Sequence, residues 1–570
     1  MKKTAFILLF FLFQQFIFAQ KEQQYYFMKT WNFLKYYHPD LASRKIDADS
    51  LFLANIEKVN ANSNFNDIIN QLTKNLNTRF STAPIVDNQK DILSVNQNFD
   101  WFQKNNKITA ENKTLLNNIY KNRFDYTLLE KGKSISDEKK YPFPKEENLP
   151  LPYRLLTLAK IQGAVDYLFP NKYLMDKNFD SYFTDLLEEA VKSPSRKDFE
   201  ITLAKAVSKM EDSHAFPFVY KLINLKEIFH TFYSAPFDYQ IVGDHLLITH
   251  LILPDVCSKA RLNIGDKIIE INGKTIPQII KEKKELISIS NIENLVHHLS
   301  EYEYNLIWPN DLKLKNFKVK SKENNKIIST SIEFVDTSDI LQTAKISGYL
   351  LDKVKAMKEH QLIHNDIAYF KINKTFHYIE NIEDDKIDGA MDKMFKEASY
   401  KKTIVFDMRG YPDWGGFVFH YIYKYFSPIE NYFGKYYQPN LKNIGTFAYQ
   451  NFDYFPTIEN KKTNIYKGKV FILVNSDTQS ASEWNTMNLQ KIFPQAITIG
   501  QRTAGADGDV RTVNLPGDYE LPFSGIGIFY PDNSQTQQTG IRINELIKYK
   551  DQDILENRDL EFERVLELLK

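Results

Sequence analysis

Lys469-Val470-Phe471-Ile472-Leu473-Val474-Asn475-Ser476-Asp477-Thr478-Gln479-Ser480-Ala481-Ser482-Glu483-Trp484 passes from a continuous apolar run through a polar loop into helical spacing. The run is too short for a helix and shows no alternation, so it reads as a strand buried on both faces. Ala481, Trp484 and Met487 then fall on one side of a helix that Ile492 and Phe493 close. Upstream, Thr403-Ile404-Val405-Phe406 is a second such strand, ending in Asp407-Met408-Arg409-Gly410 and followed by Gly415-Gly416. Ile367–Phe370 and Ala496–Ile499 supply two more. Strands of this kind alternating with helices predict a covered sheet from about residue 339 to 570, closed by an amphipathic helix over Ile554–Leu569. Sites in such sheets gather at strand ends, which draws attention to Ser480 and to the glycine pair.

Ser480 admits two readings. It can cap the helix, with Glu483 completing a capping box. It can instead expose its hydroxyl beside the free N–H groups of the helix start, which are suited to holding an oxyanion. Gly415 and Gly416 would let further backbone donors approach a substrate carbonyl.

Working outward, residues 236–275 change character. His245–Thr249 reads as a strand, Gly265-Asp266 as a turn, and Asn272-Gly273 as a two-residue hairpin turn after Lys267–Ile271. Residues 21–80 are helical by spacing, and a second copy follows 131 positions later without gaps. Leu34, Tyr36 and Pro39 match Val165, Tyr167 and Pro170; Asp49, Ser50 and Phe52 match Asp180, Ser181 and Phe183; Asp67, Leu72 and Lys74 match Asp198, Leu203 and Lys205. The copies part at their ends, where the second carries Asp212-Ser213-His214 and the first Ser81-Thr82-Ala83. Residues 81–150 read as helices followed by a proline-marked linker.

The first residues form a unit of their own: Lys2 and Lys3, an apolar run from Ala5 to Phe18, then Ala19. This is the pattern of a secretory signal with cleavage after residue 19, and the run is short for a membrane span. The expected compartment is periplasmic or extracellular. Cys257 is the only cysteine, so no internal disulfide exists, and it reads as a small buried apolar residue. The net charge of +1 gives no footprint for nucleic acid. His-Glu-x-x-His, cysteine pairs and phosphate-binding glycine loops are all missing, so no metal or cofactor is expected.

Asp407-Met408-Arg409-Gly410 with Gly415-Gly416, Ser480-Ala481-Ser482-Glu483, and Gly500-Gln501-Arg502-Thr503-Ala504-Gly505 together resemble the C-terminal-processing and tricorn-core family of serine peptidases. The hairpin segment resembles a PDZ domain, in the place that family would have one. The resemblance implies a multidomain α+β chain. After the signal come a helical module with its linker at 20–150, a helical cap at 151–232, a PDZ-like β-barrel with following strands at 233–338, and a crotonase- or ClpP-like ββα-superhelix peptidase core at 339–570. It implies Ser480 as nucleophile, and an oxyanion hole from the Ala481 N–H with that of Gly415 or Gly416.

For the base, the family's Gly-Lys-Gly lysine has no counterpart in Gly505-Ala506-Asp507-Gly508. Ser213-His214 fits the tricorn-like branch instead, giving His214 as base with Ser213 beside it. That branch's orienting glutamate is replaced by glutamine, Gln537 or Gln538. The expected partners are peptides or proteins, captured as an extended strand by the PDZ-like unit. The alternative to an active enzyme is a peptide-binding protein that keeps the fold.

Overall fold

The computed structural model describes residues 2–80, 84–355, 362–364, 366–373, 382–412, 417–426, 435–450 and 466–570. The first helical module consists of α1 (Lys2–Tyr37), α2 (Ala48–Ile56) and α3 (Phe65–Thr73); the second of α4 (Leu151–Gly163), α5 (Asp180–Lys192) and α6 (Arg196–Ser208). Equivalent residues do equivalent work. Asn64 and Ser195 cap α3 and α6 by accepting the N–H of Asp67 and Asp198. Phe52, Phe183, Leu72 and Leu203 are all fully buried.

The two modules also exchange charges. Lys29 pairs with Asp180 at 2.8 Å, and its repeat equivalent Lys160 pairs with Asp49, the equivalent of Asp180, at 2.7 Å. Between these crossed pairs Tyr36 stacks on Tyr167, its own equivalent, with ring centres 4.4 Å apart. Further carboxylates complete each pair: Asp166 for Lys29 at 2.7 Å and Glu138 for Lys160 at 2.9 Å. Burial alone would push the Asp166 carboxyl up, but Lys172 and Lys29 outweigh it and hold it at about 2. The repeat is therefore a pseudo-twofold pair of modules. The connecting region contains the helix Ala110–Lys121 and then, over 131–149, irregular chain, as its prolines foretold.

The middle unit is an antiparallel sheet in the order β1 (Phe237–Val242), β2 (His245–Leu251), β3 (Lys267–Ile271), β4 (Leu314–Lys320), β5 (Ile327–Glu333). Asn272 and Gly273 form the hairpin turn after β3, both with positive φ (49° and 81°). Among the described residues no pairing joins β5 back to β1, so the expected barrel is an open sheet. Helix α7 (Ile292–Ser300) belongs to this unit; its Ser300 hydroxyl accepts the N–H of Ile241 in β1 at 3.1 Å.

The last unit is a sheet ordered β6 (Leu362–His364), β7 (Ile367–Lys371), β8 (Thr403–Asp407), β9 (Lys469–Val474), β10 (Ile497–Gly500) and Glu545–Leu546. Only the β6–β7 pair is antiparallel. The unbroken apolar character of β8 and β9 has a direct cause. Ile404, Phe406, Val470 and Ile472 enter one core with the helices Ile387–Ala398 and Phe417–Phe426, whereas Val405, Phe471 and Leu473 enter another with Val565.

Two helices, Asp551–Leu555 and Leu560–Leu569, replace the single one expected at the C-terminus. Asn557 has φ 49° between them, and Asp559 caps the second while binding Arg409 at 2.8 Å. The hairpin of β11 (Val510–Leu515) and β12 (Tyr519–Ser524) reaches back to the second helical module, where the Tyr519 hydroxyl lies 2.6 Å from both Arg196 Nε and Glu200 Oε1.

Lys160→Met would leave Asp49 buried without its cation. Breaking a buried pair in this way costs about 3–5 kcal/mol, so urea denaturation should show a correspondingly lowered midpoint.

Candidate active site

Helix α8 (Ala481–Ile492) follows β9 across the loop 475–480. At its start Ser480 has φ 54° and ψ −119°, a conformation that costs a non-glycine residue of the order of 1–3 kcal/mol. Its side chain makes no capping hydrogen bond, so the capping-box reading fails. The strained residue thus lies at the junction of a strand-to-helix turn.

Glu483 goes elsewhere. Its Oε1 accepts the Thr503 hydroxyl at 2.5 Å and the Gly505 N–H at 2.8 Å, and Oε2 accepts the Ala506 N–H at 2.9 Å. Burial pushes this carboxyl up, to about 7, against those three donors and the Ser480 backbone, which favour the ionised form. Asp507 beside it is held well above the carboxylate range, first by burial and then by Glu483. The 503–506 segment braces the serine directly, because the Ser480 N–H donates to Ala506 O at 2.9 Å. Glycine is needed at 505, where φ is 67° and a Cβ would stand 2.8 Å from the backbone of Gln538.

His214 arrives from the segment Ser213–Lys221 after α6 and is 5 % exposed. Its Nδ1 lies 2.8 Å from the Ser524 hydroxyl, which donates at 2.8 Å to Asp212 Oδ1. The serine proton is thus committed to the carboxylate, so Nδ1 must carry a hydrogen and donate to Ser524 Oγ. Nε2 is then an unprotonated acceptor, and it is buried with no hydrogen-bond partner. Desolvation holds the imidazole below its ordinary value of 6.5, with Asp212 and Asp509 opposing.

Asp212 is the hub. Its carboxylate also accepts the N–H of Ser524 at 2.6 Å, the N–H of His214 at 3.2 Å and the Gln537 amide at 3.1 Å.

The expected residues separate on this map. Gln537 joins the relay through Asp212, whereas Gln538 reaches Glu211 at 3.4 Å. Ser213 does not face the imidazole: its hydroxyl donates to Asn294 at 2.9 Å and accepts the Ser290 N–H at 2.9 Å. Ser524 stands in the place expected of Ser213, and Asp212 provides the acid expected, and missing, near 537. Asp212 had a local signal, an acid two residues before the histidine at a helix cap. Ser524 had none.

Gly415 and Gly416 lie outside the described residues. The chain leading to them is tied to the nucleophile loop by the Thr478 hydroxyl on Met408 O at 3.0 Å and the Ser482 hydroxyl on Gly410 O. Among the described residues no group of His, Cys, Asp and Glu is arranged to hold a metal ion.

Residues 366–546, which contain Ser480, Ser524 and Gln537, match peptidase family S41. The chain carries an S41 peptidase domain. It is of the serine-type hydrolase class. Among solved structures it is similar to mature CPAF in complex with lactacystin, with 12% identity and TM-score 0.51 over 74% of this chain and 98% of that one. Mature CPAF alone gives 11%, 0.51, 72% and 95%. The photosystem II D1 C-terminal processing protease gives 13% identity over 69% of this chain and 93% of that one, with TM-score 0.31. At these identities the likeness to CPAF is one of fold. No curated protein sequence matches the chain. The S41 domain does not contain the whole arrangement: Asp212 and His214 are delivered from the helical module outside it.

Glu483→Gln would turn one acceptor oxygen into an amide facing a backbone N–H. An unsatisfied buried donor costs about 1–3 kcal/mol, and the loss should appear as a lower urea midpoint.

Proposed function

We propose that the chain is an exported serine endopeptidase in which Ser480 is the nucleophile and His214 the general base. The observation that carries this is the hydrogen-bonded chain from Asp212 through Ser524 to His214 Nδ1. The Asp212–Ser524 relay leaves Nε2 free to take a proton and stabilises the imidazolium that results. Ser480 then attacks a peptide carbonyl. The Ala481 N–H, with that of Gly415 or Gly416, holds the tetrahedral oxyanion, each donor contributing about 3 kcal/mol. His214 returns the proton to the leaving amine, and water hydrolyses the acyl-enzyme.

Export is supported by the basic and apolar N-terminal residues; among the described residues no helix is long and apolar enough to cross a membrane. The sheet β1–β5 is proposed as the PDZ-like unit that receives an extended substrate segment. The reading as an inactive peptide binder drew on the missing lysine and on glutamine in place of an acid near 537; the Asp212 carboxylate, bonded to Ser524 and Gln537, supports the active reading over it.

A fluorophosphonate probe tests the assignment. The wild-type protein should label at Ser480, Ser480→Ala should not label, and His214→Ala should slow labelling about 10²–10⁴-fold. Persistent labelling of Ser480→Ala would refute it.

The pH profile gives a second test. A general base must be neutral, so kcat/KM should rise with pH along an acid limb below the ordinary histidine value of 6.5. Asp212→Asn removes a carboxylate that favours imidazolium, so the limb should move to lower pH while the plateau rate falls.

A further inference from the structure

The base and the nucleophile sit on segments far apart in sequence, and neither belongs to the sheet β1–β5. Helix α7 of that sheet unit nevertheless touches both segments. The Asn294 side chain, 1% exposed, accepts the Ser213 hydroxyl at 2.9 Å through Oδ1 and donates through Nδ2 to Ser476 O at 2.9 Å. One amide therefore joins the residue before the base to the loop that ends in the nucleophile.

Its helical neighbours extend the contact. Asn291, three residues earlier, donates to Thr503 O at 2.9 Å and Ala504 O at 3.0 Å, in the segment that braces Ser480. His297, three residues later, lies 3.6 Å from Asp477 on the nucleophile loop. Asn294 and His297, three residues apart, share one flank of α7, and Asn291 is the cap at its start.

We infer that Asn294 is a positioning residue that sets the separation of His214 from Ser480 by holding Ser213 and Ser476 on the two ends of one side-chain amide. The place needs a group that accepts from a hydroxyl and donates to a carbonyl at once, as an amide does, whereas a carboxylate or an alkyl group does one or neither. The inference rests on the nucleophile and base proposed above. Its energetic lever is geometric, since a misplacement of about 1 Å in a reacting pair lowers the rate about 10²-fold.

The test uses Asn294→Asp and Asn294→Ala in the full chain, with Ser213→Ala and the Ser213→Ala/Asn294→Ala double variant. Asn294→Asp keeps the acceptor for Ser213 and loses the donor to Ser476, with almost no change of volume. Expected are a fall in kcat and in fluorophosphonate labelling rate of about 10- to 100-fold with KM within about twofold, and an unmoved acid limb, because the Asp212–Ser524 relay is untouched. The loss in the double variant should fall short of the sum of the two single losses, since both changes cut the Ser213–Asn294 bond although Ser213→Ala also frees the Ser290 N–H.

Turnover of either Asn294 variant within twofold of wild type would overturn the inference. So would a loss that only tracks the fraction of unfolded protein measured by circular dichroism. If the wild-type protein itself does not label at Ser480, it is the reading of the site that fails. If the wild type labels and the Asn294 variants label equally fast, it is this inference.

Discussion

A single buried carboxylate organises the chemistry of this protein. Asp212 is fully buried and surrounded by donors: two from Ser524, one from the His214 backbone, one from the Gln537 amide. A buried charge is tolerable only when its lone pairs are taken up in this way. Meeting that requirement draws three distant parts of the chain together: the end of the second helical module, the tip of β12 and the segment at 537. It also decides where the histidine proton resides. The electrostatic need of one side chain thus fixes both the local assembly and the direction in which a proton can move.

The turn at Ser480 is held by a different logic. Ser480 sits in a strained backbone conformation that its surroundings must enforce. Enforcement comes from Glu483, which gathers Thr503, Gly505 and Ala506 so that Ala506 can receive the Ser480 N–H. Asp507 beside Glu483 is pushed toward its protonated, uncharged form by burial and by that neighbour. The rigidity of this turn rests on the Glu483 carboxyl.

What could be read in the sequence was local or periodic. The apolar runs of β8 and β9, the Asn272-Gly273 turn and the 131-residue repeat are written in neighbouring residues or in a constant offset. The Ser480-Ala481-Ser482-Glu483 and Ser213-His214 motifs marked where to look, and their hydrogen-bond partners were not legible where two local rules competed. A serine followed three residues later by glutamate is the pattern of a capping box, yet the carboxyl is worth more to three donors twenty residues on. Ser524 could not be read at all, because its role exists only across more than three hundred residues of chain. The break at Asn557 escaped notice because apolar periodicity continues through it.

The crossed lysine–aspartate pairs of the two helical modules carry a consequence for how the chain is made. Lys29 emerges early, but Asp166 and Asp180 are synthesised far later, while Asp49 waits for Lys160. Until the second module exists, the first holds charges that cannot enter an apolar interior. The first module therefore cannot complete its buried charge pairs until the second is present.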